Sequence, residues 1–99
     1  MIPGLEADQI LSRNPDVIST EADGEVALMS IQNGHYYGLN PIASDIWRRL
    51  GQPAAVGQLT ADLLAEYNGD PVQLEKDVRE TLEGWLAYNL IQVTPVNRQ

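Results

Sequence analysis

Residues 33–41 read Asn33-Gly34-His35-Tyr36-Tyr37-Gly38-Leu39-Asn40-Pro41, NGHYYGLNP in one-letter code. A turn dipeptide opens the stretch, two tyrosines fill it, and Asn-Pro closes it. The chain has four tyrosines and no phenylalanine, so this segment holds much of its aromatic surface. Asn-Gly accepts positive φ and marks a hairpin turn. His35 to Leu39 then reads as a strand. Asn40 is an N-cap with Pro41 at the first helical position. The stretch is therefore the joint between a β half and an α half.

Upstream, Asp16 to Ala22 and Gly24 to Ile31 are strand candidates, rich in Val, Ile and Thr and separated by Asp23-Gly24. Three strands joined by two tight turns predict an antiparallel meander. Gln9 to Arg13 is a short extra strand candidate, ended by Asn14-Pro15. Downstream, Ile42, Ile46, Trp47 and Leu50 fall on one helical face, and Gly51-Gln52-Pro53 stops that helix. A second helix is predicted from Val56 to Tyr67, ended by Asn68-Gly69. A third starts with Asp70 as cap, Pro71 at its first position and Gln73 placed as in a capping box. Its apolar set is Leu74, Val78, Leu82, Trp85 and Leu86, and it ends near Asn89. Leu90 to Thr94 can return as a short strand, and the tail 95–99 is expected to be loose. The helices must cover one face of the meander. The fold class is α+β: a three-stranded antiparallel meander packed on three helices, with a helical half like a winged helix-turn-helix. A single domain over residues 1–99, with its core at about 10–93, accommodates all of it.

Composition narrows the function. The chain has 99 residues, 43% of them hydrophobic, with 14 acidic against 6 basic side chains and a net charge of −8. Nucleic-acid binding leaves a basic footprint, and only Arg48-Arg49 offers one here, so a nucleic-acid partner is not expected. No apolar run approaches the roughly 20 residues of a membrane span. MIPGLEADQI has neither the charge nor the apolar stretch of a signal peptide, and cysteine is absent, which accords with a cytoplasmic protein. Without cysteine there is no disulfide, no thiolate catalysis and no Cys-based zinc site.

An enzyme reading finds little support. The one histidine, His35, has no partner ligands for a metal. Ser12, Ser19, Ser30 and Ser44 lack a nucleophile-elbow context, and the glycines are isolated turn residues rather than a phosphate loop. No catalytic residue, cofactor or metal is expected. Binding fits better. In a meander the last strand has one free side, which is a template for an incoming strand. His35 to Leu39 carries no Lys or Pro to protect that edge. Side-chain alternation turns one tyrosine toward the helices and the other away. Two readings stand at this level: both tyrosines support the sheet, or the strand accepts a peptide by β-augmentation.

The order Gly24-Glu25-Val26-Ala27-Leu28, Gly34-His35-Tyr36-Tyr37-Gly38-Leu39-Asn40, Ile46-Trp47 resembles the PqqD-like family, the RiPP recognition elements. Leu59, Leu63, Leu64 and Tyr67 resemble its second helix. Asp77-Val78 with Leu82, Leu86, Leu90 and Ile91 resembles its third helix and exit. The match spans roughly residues 10–93. It implies a non-catalytic domain that binds the leader segment of a ribosomally made precursor peptide, antiparallel to the third strand, in a groove against the third helix. It also implies presentation of that precursor to a modifying enzyme or leader peptidase. The groove residues it implies are His35, Tyr36, Tyr37, Gly38 and Leu39 on the strand, with Leu74, Glu75, Val78, Arg79 and Leu82 on the helix. Lys76 and Arg79 could meet acidic leader residues. Lasso peptide biosynthesis ranks first among the pathways. Pyrroloquinoline quinone or radical-enzyme systems come second, and a winged-helix transcriptional adaptor is the reading from another class.

Overall fold

The first hairpin forms where its turn chemistry demands. Asp23 and Gly24 both take positive φ (56° and 82°), the geometry of a two-residue turn that matches strand twist. It joins β2 (Val17–Ala22) to β3 (Glu25–Ser30), with Ala22 opposite Glu25. The computed structural model describes residues 5–94; the expectation for the tail at 95–99 lies outside them. β1 (Ile10–Arg13) precedes this hairpin. β4 (Tyr36–Gly38) follows it, antiparallel to β3, with Met29 opposite Tyr36 and Ala27 opposite Gly38.

The second turn is wider than the Asn33-Gly34 dipeptide predicts. β3 ends at Ser30, whose amide makes the last bond toward β4, to the His35 carbonyl at 3.0 Å, while the Ile31 amide faces the other side and donates to the Asp16 carbonyl at 2.9 Å. The Gly34 amide donates back to the Ser30 carbonyl at 2.8 Å, and the Asn33 side chain accepts from the His35 amide at 2.9 Å. The predicted strand from His35 to Leu39 therefore shortens to three residues.

Helix α1 (Pro41–Arg49) starts at the expected cap, where the Asn40 side chain accepts from the Ala43 amide at 2.8 Å. Helix α2 (Val56–Glu66) follows, and then α3 (Pro71–Ala87), capped by Asp70 accepting from the Val72 amide. Gln73 does not complete a capping box; it donates to Asp77 at 2.9 Å, one turn along the helix. At the far end Asn89 takes φ 59°, the Leu90 amide donates to the Trp85 carbonyl, and the Asn89 amide donates to that of Leu86. That is the paired-bond left-handed helix stop, here built on Asn rather than Gly.

The α+β class holds, but the strands form two sheets. β2, β3 and β4 make one meander, in that order. β1 is the centre of the other, between β5 (Ala54–Ala55) and β6 (Ile91–Thr94). Ile10 lies opposite both Ala55 and Thr94. One hydrophobic cluster runs through all the layers, from Leu11 on β1 and Val26 and Leu28 on β3 to Ile46, Leu63 and Leu82 on the helices. Trp47 of α1 meets Trp85 of α3 edge to face at 5.5 Å, which fixes the distance between these two helices.

Ser44 sets the position of the meander against α1. Its side chain is fully buried (0% exposed). Its Oγ accepts from the Val26 amide at 2.9 Å and donates to the Leu39 carbonyl at 3.2 Å. Removing it leaves a buried donor and a buried acceptor unpaired, which costs about 1–3 kcal/mol. Ser44→Ala should lower the unfolding midpoint by roughly 5–15 °C in a thermal melt. A melt unchanged from the parent would show that water or a backbone shift replaces the hydroxyl.

Candidate functional site

β4 is paired on one side only. The His35 carbonyl accepts from Ser30 at 3.0 Å, and the Leu39 amide donates to Val26 at 2.9 Å. Backbone groups in an antiparallel strand alternate in direction, so residues 35, 37 and 39 turn theirs to β3. The amides and carbonyls of Tyr36 and Gly38 consequently face the open edge, where nothing among the described residues pairs with them.

The two tyrosines separate as strand alternation requires. Tyr36 points away from the helices and is 77% exposed. It stands in register with Met29 and Ile18, so an apolar row crosses the outer face of the meander. Tyr37 turns inward and is half-buried against the core. Its ring lies 5.9 Å from that of Tyr88, just beyond the end of α3, and 6.4 Å from that of His35. His35 itself is exposed and belongs to the connecting loop.

A cleft of about 330 Å³ separates this edge from α3. Tyr37, Gly38, Leu39 and Asn40 form the strand wall; Glu80, Thr81, Gly84, Trp85 and Tyr88 form the helix wall. A neighbouring hollow shares Asn40, Glu80 and Thr81 and adds Ile42 and Asp77. A third shares Ile42 and Asp77 and reaches Leu64, Tyr67 and the α2–α3 turn. The trough thus follows α3 from its C-terminal end to its N-terminal end. No Lys or Arg lines any part of it, and Glu80, Asp77 and Asp70 are its charged groups.

Of the strand residues expected in the groove, Tyr37, Gly38 and Leu39 line the cleft, Tyr36 stands on the edge, and His35 lies in the loop before it. None of the helix residues expected there lines this cleft. Val78 and Leu82 are 1% and 0% exposed, inside the core. Leu74 lies at the far hollow beside Leu64 and Tyr67. Glu75 and Arg79 face another flank, with Ala7, Val56 and Thr60, where Arg79 donates to the Leu5 carbonyl at 2.6 Å. The reason is helical phase. Asp77, Thr81, Gly84 and Tyr88 follow one another at steps of three and four, with Glu80 beside Thr81, a stripe about one residue round from the apolar stripe. Two signals marked that stripe: a glycine inside a helix and a tyrosine at its end.

A small α+β unit with an unpaired strand edge beside a helix-lined cleft is a module open to strand addition. The sequence matches the family described as coenzyme PQQ synthesis protein D (PqqD) over residues 25–91, well over half of the chain, and the protein belongs to that family. Among solved structures it is similar to one described as TbiB1 in complex with the TbiA(beta) leader peptide. The identity is 29% and the TM-score 0.73, over 86% of this chain and 99% of that one. It is also similar in fold to a lasso peptide synthetase B1 complexed with the leader peptide. There the identity is 20% and the TM-score 0.69, over 83% of this chain and 96% of that one. No curated protein matches in sequence.

Among the described residues no three metal-ligating side chains cluster, and no helix is long and apolar enough to cross a membrane.

Proposed function

We propose that this protein is a leader-peptide recognition protein of lasso peptide biosynthesis. It takes the leader of a ribosomally made precursor as an added strand on β4, with alternate leader side chains entering the cleft against α3. It then presents the precursor to a modifying enzyme or a leader peptidase. The role asks no catalysis of the chain itself. The observation that carries this reading is the pair of outward-facing peptide units at Tyr36 and Gly38, set directly beside the cleft. The relative at 29% identity, whose solved structure is described as a complex with a leader peptide, supports the same reading.

The family's description favours a second pathway, coenzyme PQQ synthesis, and the same edge would serve a precursor peptide there. The helix wall changes the chemistry expected of the peptide. Its charged groups are acidic, so acidic leader residues find no cation in the cleft, and Arg79 is turned away to the Leu5 carbonyl.

The deciding experiment is a fluorescence-anisotropy titration with the labelled leader of the precursor encoded beside this gene, at two salt concentrations. Strand addition should saturate and weaken only gently with salt. A binding constant that falls steeply with salt, together with affinity for duplex DNA, would support a nucleic-acid adaptor instead. Apparent mass that rises with concentration, with no peptide uptake, would mean that the edge pairs with a second copy.

A further inference from the structure

α3 runs for 17 residues, and Gly84 lies in its last turn, where its backbone is still helical and its carbonyl accepts from the Tyr88 amide at 3.1 Å. Glycine inside a helix is destabilising relative to alanine, because it loses more backbone freedom on folding. A structural reason for keeping it would be a close neighbour or a left-handed backbone. Neither is present. Gly84 has helical φ, and a Cβ built on it meets nothing within 4 Å. Gly57 on α2 is the contrast: there a Cβ would come within 3.0 Å of Ala7.

The bare spot faces the cleft. Thr81 and Tyr88 flank it one turn away on either side, and Trp85 lies beside it. The Tyr37–Tyr88 pair closes one end. Gly38 follows the inward-turned Tyr37, so its Cα hydrogens lie on the outer face with Tyr36, and it borders the cleft with its backbone. Gly84 therefore leaves the helix wall open beside Trp85 and Tyr88, with Glu80, one turn off, as the charged lining residue of this cleft.

We propose that Gly84 floors a socket for one bulky apolar side chain of the leader, aromatic or branched aliphatic, and sets the size the socket admits. This rests on the leader-binding reading. A strand added to β4 turns every second side chain toward α3, so one of them arrives at this level. A charged side chain would lose its water there with no partner to replace it. An apolar one gains contact with the exposed helix backbone and three rings.

The test uses the full chain carrying Gly84→Ala or Gly84→Leu, with leader titration and thermal unfolding measured on each. Gly84→Ala should raise the unfolding midpoint by about 2–8 °C, since helix propensity improves and nothing is displaced. The same change should weaken leader binding severalfold, and Gly84→Leu should weaken it at least tenfold. Replacing the one leader residue that fills the socket by alanine should make the parent chain and Gly84→Leu bind equally. Equal leader affinity of all three chains, with the parent still binding, would overturn the socket and leave leader recognition intact. A lowered midpoint for Gly84→Ala would make the glycine structural and overturn it too. Failure of the parent chain to bind leader would remove both proposals together.

Discussion

Tyr36→Pro is expected to abolish leader binding in a chain that stays folded, whereas Tyr37→Pro should unfold the meander. The two positions are adjacent and share a side-chain type, and backbone direction separates them. The amide of Tyr36 faces the open edge, so proline there removes no bond to β3. It removes a donor that an added strand needs and puts a ring where that strand would lie. A leader carbonyl left unpaired in the closed cleft costs about 1–3 kcal/mol, roughly 5- to 150-fold in affinity, before the ring's exclusion of the strand is counted. Tyr37 lies opposite Leu28, and its amide belongs to the internal ladder. Proline there breaks that ladder in a strand of only three residues. The measurement is paired: circular dichroism and thermal melting for the fold, anisotropy for the leader. Unaltered leader affinity in a folded Tyr36→Pro chain would mean that the peptide binds without adding to β4.

Tyr36→Ala keeps the edge amide and removes only the ring, so its comparison with Tyr36→Pro separates main-chain from side-chain recognition. Because Tyr36 is turned to the outer face, its ring borders the row of Met29 and Ile18 rather than the cleft. Tyr37 is the ring that lines the cleft. Strand alternation thus puts the two adjacent rings on opposite faces of the sheet.

Local chemistry made most of the fold legible. Asp23-Gly24, Asn40-Pro41, Asp70-Pro71 and the left-handed stop at Asn89 act within a few residues, and each lies where its backbone preference puts it. Non-local pairing was harder to read. β5 is two alanines with no strand propensity of their own, and it exists because Leu11 and Ile10 on β1 offer a ladder. The union of β1 with β6 joins residues about eighty positions apart, and no local pattern encodes it. The width of the Asn33-Gly34 turn, by contrast, is set locally, where the Gly34 amide closes back onto the Ser30 carbonyl. The strand edge was legible because it follows from strand order. The helix residues expected in the groove lie about one step of rotation away from the cleft wall. An apolar stripe on a helix identifies the core, and the cleft takes its wall from the seam beside that stripe.

That rotation makes opposite forecasts for neighbouring residues, and Leu82 and Thr81 test it. Leu82 is 0% exposed and sits in the cluster with Ile46 and Leu63. Leu82→Ala should cost about 2–5 kcal/mol of stability, from lost burial and the cavity left behind. A chain of this length holds about 5–15 kcal/mol in total, so the variant should be marginal at 37 °C. Any leader affinity it loses should track its unfolded fraction and return on cooling. Thr81 lies one residue away and is only half-buried, on the cleft wall. Thr81→Arg adds no strain to the core, and Glu80 beside it offers a partner for the charge. Its melt should stay within a few degrees of the parent, while the long side chain fills the cleft and reduces leader affinity at least tenfold. Were Leu82→Ala to lose leader binding while fully folded, and Thr81→Arg to keep it, the peptide would run along the buried-stripe side of α3, and the cleft described above would not be its path.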